Sequence, residues 1–519
     1  MGCSSSKAAQ APAQDLRGNM MRKRSIKTDI DQVYKYEKSL GQGSMGEVAA
    51  ITKRGSSAVH VLKTIQLNRM SEEFRAELKN EINLLMALDH PNIIKPLELF
   101  ERKRQMFFVM EFCSGGDLYE RMPYSEPDAA NYTNQICSAI RYLHSKNVCH
   151  RDLKFENILF ESKAPNSVIK LIDFGLSKQY VPGSKMRETV GTLYSMSPEV
   201  LEERGYTQSS DMWSIGVLAF MLLGSHMPFE HRYEAYVIER IRRGQFGFRK
   251  KAWEGVSSEA KDFVTKLLQV DPDKRMTAQE AQAHPWLDPE GAFEGRRLSG
   301  KFVKASSSED LENIVNSLKQ YSSYSKLRKA ALMVVAHRTE GGQIAAIRDA
   351  FLDIDTSREG TITLEELQTV LSNYGMDPDE ITDVFKGVDV DKTGRIGYTE
   401  FLAATVEAKG LNTEDKLLEA FDRLDADDSG YITFENLREI LGSAYDPEEV
   451  KQMIASADFK NDGRVDLEEF MQLMGAKREA EIEVFNSDPQ PAPDAVLAAG
   501  ADIETSAEAS PVASFSEPK

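Results

Sequence analysis

The sequence predicts a multidomain α+β protein, with a small β-rich lobe, a larger α-rich lobe and then an all-α block. Three observations carry that reading. Residues 36–110 show short strand patterns around a Gly-rich turn plus one helix over 72–88, and after Gly116 the patterns turn mostly helical. Asp355, Asp389, Asp425 and Asp458 each open a loop with glycine at its sixth position, at spacings of 34, 36 and 33 residues. Four near-identical periods call for one supersecondary unit used four times. The formal charge of −18 is also blocked: residues 1–30 carry +4, 349–475 carry −20 and 479–519 carry −8.

At 519 residues the chain is longer than one hydrophobic core usually serves. With 41% hydrophobic and 28% charged residues it cannot be disordered throughout. The acidic balance argues against nucleic acid as a partner, since phosphate binding needs a basic face. Cys3, Cys113, Cys137 and Cys149 match neither a disulfide framework nor a zinc spacing, which predicts a reducing compartment. The apolar run Val217–Leu223 is far shorter than the ~20 residues of a membrane helix. Both the leader, residues 1–35, and the acidic tail, 476–519, lack the large apolar residues that offset chain ordering, and both are expected to be disordered.

Within the body, Gly41, Gly43, Gly46 and Val48 form a G-x-G-x-x-G-x-V loop between two strand-like segments, so that backbone N–H groups approach a triphosphate closely. Lys63 ends the following strand, and Glu81 lies on the next helix, placed to hold it in an ion pair. His150-Arg151-Asp152-Leu153-Lys154 through Asn157 supplies a carboxylate, an ammonium and an amide within eight residues, and Asp173-Phe174-Gly175 adds a second carboxylate.

In this order the motifs over 36–287 resemble a protein kinase catalytic domain, which implies a bilobal kinase fold with ATP as substrate and Mg²⁺ as cofactor. By that resemblance Lys63 contacts the α/β-phosphates with Glu81 orienting it, Asp173 and Asn157 bind Mg²⁺, and Asp152 accepts or orients the substrate hydroxyl proton. Met110 guards the adenine pocket, with Glu111, Phe112 and Cys113 as the hinge. Lys154 and Thr192 imply serine/threonine specificity, and Asp117 and Glu156 imply a basic residue upstream of the target. Glu199 of Ser197-Pro198-Glu199 is expected to pair with Arg275. Phe155 replaces the usual catalytic-loop proline without removing a reacting group. Glu188 stands where many kinases place an activating phosphothreonine, so a fixed carboxylate there is suited to pair with Arg151.

The acidic repeats read as four EF-hands, each offering oxygen ligands at alternating positions around a sharp glycine turn, as Ca²⁺ requires. The first loop presents Asp355, Ser357, Glu359 and Glu366, the second Asp389, Asp391, Thr393 and Glu400. The third has Asp425, Asp427 and Ser429 but ends on Asn436, an amide that weakens the last contact. The fourth has Asp458, Asp462 and Glu469, with Lys460 where an acceptor belongs. Arg395, Tyr431, Arg464 and Lys460 are expected to contribute through backbone carbonyls only. Unequal affinities are the expectation.

Between kinase and repeats, 306–338 places Ile314, Leu318, Tyr321, Ala331, Leu332 and Val335 largely at helical spacing, interleaved with Lys319, Lys326, Arg328 and Lys329. A basic amphipathic helix is what calmodulin-like lobes grip. With this order of parts, about 36–475 resembles the calcium-dependent protein kinases of plants and protists. The resemblance implies an autoinhibitory junction over 288–340 that blocks the substrate groove at low calcium and is released to the EF-hands, 341–475, when calcium binds. The other class of function, a calcium-responsive scaffold on an inactive kinase fold, is disfavoured because Lys63, Asp152 and Asp173 are all kept. Met1-Gly2-Cys3 through Ser6 fits N-myristoylation at Gly2 with Cys3 as a palmitoylation site, and Arg22, Lys23 and Arg24 add a basic cluster. The expectation is a monomeric, peripheral protein on the cytoplasmic face of an anionic membrane, the plasma membrane foremost, and partly cytosolic.

Overall fold

The computed structural model describes residues 22–24, 30–43, 46–67, 72–102, 104–248, 251–288, 308–441 and 446–475. Gly2, Cys3, residues 289–307 and the tail from 476 lie outside them. The first lobe is a six-stranded sheet in the order β1-β5-β6-β4-β3-β2, formed by β1 (Arg22–Arg24), β2 (Tyr34–Gly43), β3 (Gly46–Lys53), β4 (Val59–Gln66), β5 (Pro96–Arg102) and β6 (Gln105–Glu111). The Gly-rich turn joins β2 to β3. A Cβ at Gly46 would fall 1.8 Å from the Thr64 carbonyl oxygen, so only glycine lets β3 enter this close to β4.

The leader departs from the disorder expected of it. Arg22–Arg24 pairs parallel with β5, and Ile30–Val33 forms a short helix whose Ile30 is buried with Phe100, Phe107 and Val109. The segment is poor in apolar residues, but Ile30 and Val33 reach a core built by distant strands, a tertiary gain that local composition does not reveal.

The second lobe is helical. Helix α1 (Ser209–Gly224) is apolar on all sides and almost wholly buried, as such a helix must be. Trp213 on it stacks against Phe229 with ring centroids 5.4 Å apart. Arg275 reaches the same region with its side chain fully buried. Its guanidinium meets Glu199 in a fork, at 2.8 and 3.1 Å, and donates also to the carbonyls of Gln269 and Ser209.

Where the sequence suggests one junction helix, the chain forms two: α2 (Ser308–Ser322) and α3 (Lys326–Arg338). Ser325 starts the second by accepting the Arg328 amide, a serine N-cap that ends continuity with the first. Both helices pack on the repeat block, with Leu318, Tyr321, Leu332 and Val335 in one apolar cluster with Phe385, Phe401 and Leu424. Loops one and two of the block are joined by a two-stranded ladder, Thr361–Ile362 with Ile396–Gly397, and loops three and four by Tyr431–Ile432 with Val465–Asp466.

Removing the Arg275 side chain leaves the Glu199 carboxylate buried and unpaired, a loss of about 3–5 kcal/mol for a buried pair. Arg275→Ala is expected to lower the kinase-lobe melting temperature by roughly 10 °C in scanning calorimetry.

Candidate active site and calcium loops

Asp152 and Asn157 lie on the loop before the strand Ile158–Phe160, and Asp173 follows the strand Ile169–Leu171, so the antiparallel pairing of these strands brings three hard-oxygen side chains to one cleft. With Leu40, Val48, Val61, Lys63, Met110, Glu111 and Cys113, Asn157 and Asp173 line a cavity of about 240 Å³ between the lobes. Lys63 Nζ lies 3.3 Å from Asp173 Oδ1. Glu81 sits on the helix Glu72–Ala87, but its side chain lies outside the described residues. Gly41 and Gly43 belong to β2 and Gly46 and Val48 to β3, which together cover the cleft.

Asp152 is the centre of a hydrogen-bonded group. Lys154 Nζ lies 2.8 Å from its Oδ2, Asn157 Nδ2 donates to its carbonyl at 2.9 Å, and the Thr192 hydroxyl donates to Oδ1 at 2.7 Å. Thr192 thus makes the contact that a substrate hydroxyl would make. Burial works against the charge on Asp173, but the Lys63 ammonium and the Gly175 amide outweigh it and hold the carboxyl below its ordinary range. Burial pushes the Cys113 thiol well up, so this hinge residue behaves as a small apolar group.

Asp211 lies in the first turn of α1. In the structure it is 1% exposed and takes the amides of His150 and Arg151, each at 2.9 Å, together with His144 Nε2 at 2.9 Å. Burial opposes its charge, yet the hydrogen bond and charge from His144 prevail and lower its pKa. Arg151 is thereby fixed at φ +69° and reaches Glu188 at 3.3 Å. Lys178 also contacts Glu188 and holds its carboxyl down to about 2, so the group stays charged. Of the acids read as substrate contacts, Asp117 caps the amides of Tyr119 and Glu120, and Glu156 accepts the Tyr194 hydroxyl at 2.9 Å.

The four acidic loops share one backbone. Position four has φ of 54°, 56°, 57° and 58° at Arg358, Lys392, Asp428 and Asn461, and position six is a glycine at positive φ each time. The opening aspartate of each loop accepts two backbone amides, as Asp389 does from Thr393 and Gly394, both at 2.9 Å. In the second loop one oxygen from each of Asp389, Asp391 and Glu400 lies within 4.8 Å of the others, a donor set that fits Ca²⁺.

A protein kinase domain model matches residues 34–287, and an EF-hand domain pair model matches 344–406 and 414–475. Calcium-dependent protein kinase 34 of Arabidopsis thaliana is 35% identical over 456 residues, 86% of this chain and 85% of that protein. Calcium-dependent protein kinase 11 of Oryza sativa subsp. japonica is 34% identical over 478 residues, 90% of this chain and 81% of that protein.

The chain belongs to the calcium-dependent protein kinases.

It is therefore a calcium-activated serine/threonine kinase that uses ATP with Mg²⁺ and binds Ca²⁺ in EF-hands. The residues present fit these groups: Asp173 offers a carboxylate, and Asn157, with its nitrogen engaged by Asp152, offers an amide oxygen. Bound Mg²⁺ and ATP supply the phosphoryl group and its counter-charge. With those groups bound, the chain's own residues would act by positioning: Asp152 would orient the hydroxyl, Lys154 would neutralise charge beside it, and Lys63 would meet phosphate oxygens.

The other loops of this calcium-dependent kinase differ from the second. Glu359, read as a ligand of loop one, is held by two guanidiniums, Arg141 at 3.1 Å and Arg395 at 2.5 Å. Arg141 comes from the kinase lobe, a contact that ligand spacing alone does not disclose. Burial, helped by Glu366, pushes Asp355 up to about 7, and burial pushes Asp389 up to about 6. In loop four, Lys460 Nζ pairs with Asp466 and with Glu468 at 3.0 Å, while its amide donates to Glu469 at 2.7 Å. Asp458 accepts the amides of Asp462 and Gly463, and Arg464 bonds back to Asp462 at 3.1 Å.

Loop three shows why its last residue matters. Asn436 Nδ2 donates to Asp427 Oδ1 at 3.0 Å, tying up an oxygen that a calcium ligand should offer. Ser429 in the same loop bonds to Asp425 and to the Tyr431 carbonyl. Asn436→Glu restores a bidentate carboxylate and is expected to tighten this site about tenfold or more in a calorimetric Ca²⁺ titration.

Proposed function

We propose that this kinase is a monomeric, acylated membrane protein whose two junction helices set access to the substrate cleft. The observation that supports the release half is electrostatic. Lys319 pairs with Glu380 at 2.9 Å, Lys326 with Glu449 at 3.0 Å and Arg328 with Glu407 at 2.6 Å, all carboxylates of the EF-hand block. Cations answered in this way are not free to mimic a basic substrate. At low calcium the same side chains are proposed to turn to the kinase groove near Asp117 and Glu156, so that calcium must bind the gripped form more tightly than the blocking one.

Substrates are proposed to carry a basic residue upstream of the target Ser or Thr, in keeping with those two acids. Phosphorylation of such a peptide by the full chain should rise steeply with free calcium, and a matched peptide without the basic residue should be phosphorylated more slowly. A chain ending at Asp288 should be active with or without calcium. Inactivity of that shorter chain in both conditions would contradict block-and-release.

At the N-terminus, Gly2 and Cys3 are proposed as myristoylation and palmitoylation sites. Two acyl chains with the nearby Arg22-Lys23-Arg24 cluster make an anchor, where one chain binds only marginally. The protein would then sit on the cytoplasmic face of an anionic membrane, with the plasma membrane as the foremost candidate. Gly2→Ala should move it from the membrane pellet to the soluble fraction; continued sedimentation with membranes would refute the anchor.

A further inference from the structure

Lys170, on the strand Ile169–Leu171, is 3% exposed and belongs to none of the catalytic motifs. Its Nζ lies 3.2 Å from Glu111 Oε1 and 3.6 Å from Glu161 Oε1. Glu161 is also held by Arg348, whose Nη1 lies 3.0 and 3.1 Å from the two carboxylate oxygens, the one nearest Lys170 included. Arg348 sits on the first helix of the EF-hand block, Ala345–Ile354. Glu111 ends β6 as the first hinge residue after Met110 and lines the ATP cavity. Its carboxylate is tied further to the Lys95 amide at 2.6 Å, and its own amide donates to the Lys95 carbonyl at 3.0 Å.

A buried ammonium between two carboxylates is divided according to what else each carboxylate holds. Burial alone would lower the Lys170 pKa, but Glu111 and Glu161 outweigh it and hold the charge. With Arg348 on Glu161, Lys170 remains available to Glu111. Without it, Glu161 is left as a buried acid with Lys170 as its remaining ion-pair partner, which draws that cation from the hinge.

We infer that Arg348, Glu161 and Lys170 are positioning residues for ATP, which fix the Glu111 hinge when the EF-hand block is seated against the kinase. Calcium-driven seating then raises nucleotide affinity in addition to opening the substrate groove. The link to calcium rests on the release mechanism proposed above, whereas the link between seating and ATP stands on the ion-pair chain.

The test uses the full chain at saturating calcium. Arg348→Met and Glu161→Gln should each raise KM for ATP about fivefold to tenfold while leaving the peptide KM within about twofold, and Arg348→Lys should recover most of the loss. Competition by ATP against a fluorescent nucleotide should show the same weakening without turnover. Thermal melting verifies that each variant is folded, and with two independent variants one misfolded protein does not end the test. An unchanged ATP KM in a folded, active variant would overturn the inference, as would equal rises in both KM values. Failure of the release mechanism would show separately, as a wild-type chain whose activity ignores calcium.

Discussion

The Asp211 carboxylate, held under the catalytic loop by two backbone amides and the His144 ring, is the interaction on which the active site depends. A loop whose amides point inward at one buried anion has little freedom left, and Arg151 is held in a left-handed conformation that a free chain visits rarely. From that fixed backbone the guanidinium of Arg151 reaches outward to Glu188, and the carboxylate of Asp152 is presented to Lys154, Asn157 and Thr192. Asp152 and Asp173 face the cleft, but the stiffness that fixes the loop carrying Asp152 is supplied from the helix beneath.

A second set of charges joins the kinase to the junction helix α3 and to the EF-hand block. Arg338 meets Glu98 at 2.7 Å, with the two side chains 6% and 2% exposed. Lys53 meets Glu419 at 2.8 Å, and the Thr399 amide and hydroxyl both donate to Asp89. A pair as well buried as Arg338–Glu98 contributes little net stability against an apolar alternative, but it penalises any other register severely, because a shifted interface strands charge. The seam therefore favours one arrangement of the two parts.

Much of the site was legible in the sequence because each motif residue answers to a chemistry with few alternatives. A glycine run, a lysine, and a carboxylate beside an amide point to phosphoryl transfer wherever they fold, and a repeated Asp with Gly at position six points to calcium. What escaped was what only tertiary contact decides. Lys170, and Glu161 just after the neighbouring strand, look like ordinary surface charges until Arg348, almost 190 residues on from Glu161, closes the group at 3.1 Å. Glu359 reads as a ligand alone, and the ion pair that Arg141 brings to it from the kinase lobe is not visible in the spacing. The junction reads as one helix because its apolar spacing continues across Ser323–Ser325, while a serine cap, a local hydrogen bond, divides it.

Gly360 gives the first calcium loop a further meaning. It sits at φ +75°, as the turn demands, and a Cβ there would also lie 2.5 Å from the His90 ring and 2.9 Å from the Tyr142 ring of the kinase lobe. One missing methyl group thus serves two masters, the curvature of a loop and the closeness of a seam. A side chain at this position would disturb ion binding and domain seating together, so loop one cannot drift as an isolated binding site could. Its sequence is bound to the surface it leans on.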